Sequence, residues 1–103
     1  MANMQAQPVV DERYVFDDRS FAELVIWHLP RVLPGSAHRF KYRLAFIVDG
    51  VCVIRYDNEA GKGDHRHAGR RQEAYQFTSI EALLADFRSD IENWRRKHED
   101  RDI

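Results

Sequence analysis

The sequence predicts an α+β fold, an antiparallel β-meander of four or five strands with a C-terminal helix packed on one face. Three observations predict it. Asp49-Gly50 sits between two apolar segments and is the favoured two-residue hairpin turn. Ile80, Leu83, Leu84, Phe87, Ile91 and Trp94 recur at spacings of three and four, which draws one apolar stripe along a helix and marks it as a packing face. The chain has 103 residues, enough for a single domain with one modest core.

Taken in order, residues 1–10 read as a loose arm, and Arg13 to Phe16 suit a strand. Asp17-Asp18-Arg19-Ser20 is a turn composition. Residues 21–29 fit two patterns. Ser20 with Glu23 resembles a helix capping box, but Phe21, Val25, Trp27 and Leu29 fall on one face at period two, and the β-branched and aromatic content favours a strand. Pro30 ends it, and Pro34-Gly35-Ser36 forms a loop.

The hairpin follows, His38 to Val48 and Val51 to Tyr56. A regular ladder from the turn pairs Val48 with Val51, Phe46 with Val53, Leu44 with Arg55 and Tyr42 with Asp57. On the other face it pairs Ile47 with Cys52, Ala45 with Ile54, Arg43 with Tyr56 and Lys41 with Asn58. Residues 57–72 then read as a long polar loop or two short strand ends, and Tyr75 to Thr78 as a last strand. Thr78 with Glu81 forms a capping box for the final helix, which frays into a solvated tail from Lys97, with 98–103 outside the packed domain.

Composition narrows the class. With 44% hydrophobic and 32% charged residues the chain is globular rather than disordered or fibrous. Cys52 is the only cysteine, so no internal disulfide can form, and a reducing, cytoplasmic setting fits. No segment has the length of a membrane span, and Met1 to Pro8 lack a signal peptide's charged and apolar regions. The net charge of −1 conceals an asymmetry: residues 31–72 carry nine Arg and Lys against four Asp and Glu, while both flanks are acidic. A phosphate-rich partner would prefer that middle third.

Two clusters carry chemistry-bearing side chains. Arg39, Lys41 and Arg43 share one face of a strand at period two, with His38 at its start. Asp57, Asn58 and Glu59 lead into Lys62-Gly63-Asp64-His65-Arg66-His67. His65 and His67 alternate across Arg66, so in extended chain both imidazoles point to one side. Three readings stay open on spacing alone. The pair could move protons at a phosphodiester, because imidazole titrates near neutral pH and cations beside it would hold developing phosphate charge. It could join Asp64 or Asp57 around a divalent metal. Or both rings could be surface residues bonded to neighbouring carboxylates.

The segments Gly35 to Leu44, Arg55 to Glu59 and Lys62 to His67, continued through Tyr75, Phe77 and Leu84 to Asp90, resemble the TumE family of toxins from bacterial toxin–antitoxin pairs. The resemblance covers about Trp27 to Asp90, and its Lys-Gly-Asp-His-Arg-His block is the most specific part. It implies a small toxin of a type II pair whose cognate antitoxin carries a DNA-binding domain. By analogy with other small toxins it implies action on RNA, at or away from the ribosome, although the near-neutral overall charge argues against direct ribosome binding.

Under that reading the chain is a metal-independent endoribonuclease needing no cofactor. His65, His67, Lys62 and Asp64 are the expected catalytic residues, and Lys41, Arg43, Arg66 and His38 the phosphate- or RNA-binding ones. Asp57 and Tyr42 would orient them. The alternatives are a non-catalytic module that occupies its target, or a metal-dependent nuclease built on His65 and His67. Exposed sheet edges make a homodimer or antitoxin docking by strand pairing a further expectation.

Overall fold

The computed structural model describes residues 5–99. Six strands form one antiparallel sheet in sequential order: β1 (Gln7–Val15), β2 (Ser20–His28), β3 (Phe40–Val48), β4 (Val51–Glu59), β5 (Gly63–Ala68) and β6 (Arg71–Ala74). One helix, α1 (Ile80–Glu99), packs on one face. The class is the expected α+β meander, but the strand count is six rather than four or five. The extra strands are β5 and β6, which take most of the stretch read as a polar loop or two short strand ends, and the second of those readings is the one that holds. β1 begins at Gln7, inside the segment read as an arm.

Both residues of the Asp49-Gly50 turn have positive φ, 51° and 78°, the geometry that closes a two-residue hairpin. The turn is also tied sideways: Asp49 N–H donates to the Arg19 carbonyl at 2.8 Å, and Arg19 Nε donates to Asp49 Oδ1 at 2.9 Å.

The ladder starts as expected, with Val48 opposite Val51 and Ile47 opposite Cys52. It then departs. Phe46 lies opposite Ile54, leaving Val53 as the extra residue of a β-bulge, so Leu44 faces Tyr56, Ala45 faces Arg55 and Arg43 faces Asp57. The pairings of Phe46 with Val53, Leu44 with Arg55 and Tyr42 with Asp57 are therefore corrected by one residue. The cause is the core. A regular ladder would place Arg55 and Asp57 on the side of Leu44 and Phe46. One inserted residue flips the rest of β4, so that Ile54 and Tyr56 turn inward and Arg55 and Asp57 turn out. The bulge's carbonyl is not wasted, since Val53 accepts from Gly69 N–H at 3.0 Å.

The core lies between sheet and helix. Ala22, Leu24 and Ile26 of β2, Tyr42, Leu44 and Phe46 of β3, and Ile54 and Tyr56 of β4 meet Leu83, Phe87 and Ile91 of α1. The helical stripe read from the sequence is the stripe that packs, with Ile80, Leu84 and Trp94 at its margins. Phe46 is sealed edge-on by Phe16 and Trp94, each with ring centroids 5.5 Å away.

Three smaller expectations change. Tyr75 to Thr78 is not a strand. Tyr75 N–H makes one last bond to the Asp64 carbonyl at 2.9 Å, and the chain then crosses the helix-side face as Phe77 stacks on His38. The helix is capped by Ser79, whose Oγ accepts from Ala82 N–H at 3.0 Å, so the Thr78–Glu81 box does not form. Finally, α1 stays helical through Glu99 rather than fraying from Lys97, because the His98 ring stacks on Trp94 at 3.7 Å. The remainder of the expected tail, 100–103, lies outside the described residues.

Candidate functional site: two faces of one strand

Period-two alternation divides the Lys62–His67 segment between two environments. His65 and His67 point to the face of the sheet that the helix leaves open. Asp64 and Arg66 point to the helix side.

On the open face the registers build two rows. Arg43 of β3 lies opposite Asp57 of β4, which lies opposite His65 of β5. Ala45, Arg55 and His67 form the next row. Lys41 extends the basic side, its Nζ donating to the Asn58 carbonyl. Arg43 is exposed and has no ion pair among the described residues. Arg55 and Asp57 are a close pair, Nε to Oδ2 3.1 Å, and both reach His67: Arg55 Nη2 at 3.1 Å and Asp57 Oδ1 at 3.6 Å from its Nε2.

The two rings differ chemically. A guanidinium only donates, so His67 Nε2 is the acceptor in its bond with Arg55 and a neutral His67 carries its proton on Nδ1. His65 Nδ1 lies 3.2 Å from the Gly63 carbonyl, which only accepts. Nδ1 therefore donates, and the lone pair of neutral His65 is left on Nε2, the form of a general base. The ring centroids are 6.5 Å apart, and both rings are half-buried.

The helix side is a closed polar network. Asp64 Oδ2 accepts from Tyr42 Oη at 2.6 Å and from His38 Nε2 at 2.7 Å, while His38 Nδ1 accepts from Phe40 N–H at 3.1 Å. That fixes His38 as the Nε2-protonated tautomer, and Phe77 covers its ring at 3.9 Å. Burial, then the bond to Asp64, pushes the Tyr42 phenol well above its ordinary value. Asn58 is fully buried and bonds backbone in both directions, accepting from Tyr42 N–H at 2.9 Å and donating to the Phe40 carbonyl at 2.6 Å. Arg66 Nε donates to Asp90 Oδ2 at 2.6 Å and its Nη1 to Glu73 Oε1 at 2.7 Å, and Tyr56 Oη donates to the same Asp90 oxygen at 2.5 Å. This network ties β5 to the helix.

The expected site residues thus fall into three places. His65, His67, Lys41, Arg43 and Asp57 come together on the open face. Asp64, Arg66, His38 and Tyr42 come together behind it. Lys62 sits in the β4–β5 turn, exposed and 3.3 Å from Glu59. That turn is itself docked: Gly61 N–H donates to the Pro34 carbonyl at 2.6 Å, and a Cβ on Gly35 would stand 3.1 Å from the Gly61 carbonyl carbon. Arg55 and Asp90, which contact His67 and Arg66, were given no site role in the sequence reading, and Asn58, which it placed in the second cluster, is a buried support of the backbone rather than a surface group. Arg55 was hidden by the bulge, since a regular ladder turns it toward the core. Among the described residues no group of three or more His, Cys, Asp and Glu converges as a metal-ligand set. Among them no helix is long and apolar enough to cross a membrane.

Fold and site together define a small α+β protein whose sheet is sealed by a helix on one side and carries a basic, histidine-bearing surface on the other. The family model described as toxin TumE matches residues 5–95, and the chain belongs to that family. It is accordingly a toxin-family protein with a cognate antitoxin as its implied partner. No curated protein and no solved structure matches the chain.

Proposed function

We propose that this toxin acts on RNA as a metal-independent endoribonuclease whose site is the open sheet face. The observation that carries the reading is the inequality of the two histidines. His65 presents an Nε2 with no partner among the described residues beside a second imidazole, within a surface that also holds Lys41, Arg43 and Arg55. His65 would take the 2′-hydroxyl proton as the 2′-oxygen attacks phosphorus. His67, once protonated, would give a proton to the departing 5′-oxygen as the P–O5′ bond breaks. Arg43, Lys41 and Arg55 would hold the charge that gathers on the phosphate oxygens. Asp57, bonded to neither ring closely enough to take a proton in the ground state, would orient Arg55 and His67. Asp64, His38, Tyr42 and Arg66 would position β5 from behind, and Lys62 would meet RNA only at the end of the sheet.

Purified protein should cleave RNA with EDTA present and leave 2′,3′-cyclic phosphate and 5′-hydroxyl ends. His65→Ala and His67→Ala should each lower the rate by about a hundredfold or more. Full activity in the double variant would sink the reading. The contacts of Arg55 and Asp57 with His67 favour a second reading, in which the face binds RNA by its cations and inhibits by occupancy. Growth arrest that needs Lys41 and Arg43 but survives loss of both histidines would select it. A metal-dependent nuclease has less support, since the nearby carboxylate, Asp57, is already paired with Arg55. The antitoxin would carry a DNA-binding domain. The outer edge of β1 is the surface where that antitoxin, or a second copy of the chain, would add a strand.

A further inference from the structure

The chain has two tryptophans, and they are treated in opposite ways. Trp94 is packed between Phe46 and His98. Trp27 lies on the open face at 37% exposure, with no aromatic neighbour and no hydrogen-bond partner for its indole N–H among the described residues. At this exposure Trp27 offers a ligand a flat apolar face and an indole N–H. Phe21, on the same face of β2, is covered by the Arg13 guanidinium at 4.0 Å from its ring, so Trp27 is the aromatic left uncovered there. Its place in the register connects it to the site. Trp27 lies opposite Lys41, Val25 lies opposite Arg43, and Arg43 continues through Asp57 to His65. At the usual spacing of about 4.8 Å between strands, β2 and β5 are about 14 Å apart, a span of a few nucleotides.

We propose that Trp27 is a base-stacking platform and that the ligand of this face is single-stranded RNA, laid across the strands from Trp27 past Lys41 and Arg43 to His65 and His67. This rests on the RNA reading above. The cations match a phosphate backbone, and a flat aromatic beside them matches an unstacked base, the pairing that single-strand binding surfaces use. A duplex keeps its bases stacked inside and gives the indole nothing to meet. Because Trp27 projects away from the core, removing it leaves the packing of Leu24, Ile26 and Leu44 intact.

The test is binding of a fluorescein-labelled 2′-O-methyl RNA twelve-mer, which lacks the attacking hydroxyl and so separates binding from cleavage. Full-length wild type, Trp27→Ala, Trp27→Phe and Arg43→Ala are compared by fluorescence anisotropy, with circular dichroism to verify folding. The same strand annealed to its complement is the control. Wild type should bind the single strand more tightly than the duplex. Trp27→Ala should weaken single-strand binding about tenfold or more, and Trp27→Phe by no more than about threefold. Trp27→Ala should leave the salt dependence unchanged, whereas Arg43→Ala should flatten it. Wild-type affinity in Trp27→Ala, with Arg43→Ala impaired, would overturn the platform and leave the RNA reading standing. Tighter binding of the duplex would overturn the choice of ligand. No binding of either RNA by wild type would overturn both.

Discussion

Tyr42 couples the site to the fold through a single oxygen. Its phenol is buried and donates to Asp64, and both effects hold it protonated well above its ordinary pKa of 10.0. The consequence for stability has a definite sign. Above about pH 10 the unfolded chain ionises this tyrosine while the folded chain does not, so the unfolded state binds fewer protons and stability falls as pH rises. The contribution is complete below pH 10 and is lost at about 1.4 kcal/mol per pH unit above it. Tyr56 and Tyr75 are raised too, in both cases first by burial and then by bonds to Asp90 and Asp86. Urea unfolding from pH 8 to 11 should therefore show a steep alkaline loss. Tyr42→Phe should be less stable at pH 8, having lost the bond to Asp64, yet lose less per pH unit above 10. An identical slope in the variant would exclude Tyr42 as a source.

At the scale of elements, the β4 bulge decides which residues face the open surface. Deleting Val53 would remove the bulge but leave Phe46 opposite Ile54, Leu44 opposite Tyr56 and Arg43 opposite Asp57, so Arg55 and Asp57 would still face outward. What is lost is confined to Val53 itself: its half-buried side chain and the carbonyl that accepts from Gly69 N–H. The deletion should therefore still unfold cooperatively, at a cost of a few kcal/mol, and Val53→Ala should cost about 1–2 kcal/mol. Loss of the cooperative transition in the deletion would show that the bulge itself, and not only the pairing it permits, is needed to join β3 and β4.

The bulge also explains what was legible in the sequence. The Asp49-Gly50 turn and the helical stripe are local signals, and both appear where their residues place them. A bulge answers to packing between elements and has no composition of its own. β5 stayed open between loop and short strand for a related reason: Gly63 to Ala68 has no apolar alternation, because its open side holds imidazoles and its covered side holds ion pairs with Asp90, Glu73 and His38. The residues of the candidate site other than Arg55 could be named from the sequence, but their division between two faces could not, because that needs the register.

Across the whole molecule the sheet works as a partition. The helix side carries the core and the polar network of Asp64, Arg66, Asp90 and Asn58, and the open side carries Lys41, Arg43, His65 and His67. Alternate residues of one short strand therefore belong to different tasks, and substitutions along β5 should separate them. Asp64→Ala leaves the half-buried His38 and the buried Tyr42 without their shared acceptor, which should cost about 2–4 kcal/mol and lower the melting temperature by roughly ten degrees or more. Arg66→Ala should act similarly by stranding Asp90. His65→Ala and His67→Ala remove half-buried rings that no core residue rests on, so the melting temperature should move by only a few degrees. Growth arrest on induced expression should follow the reverse order at a temperature where every variant is folded, with the histidine variants inactive and Asp64→Ala still toxic. Calorimetry and toxicity assays on these four variants give two independent rankings. If toxicity simply follows melting temperature, the open face has no role beyond structure and the site must be sought on the helix side.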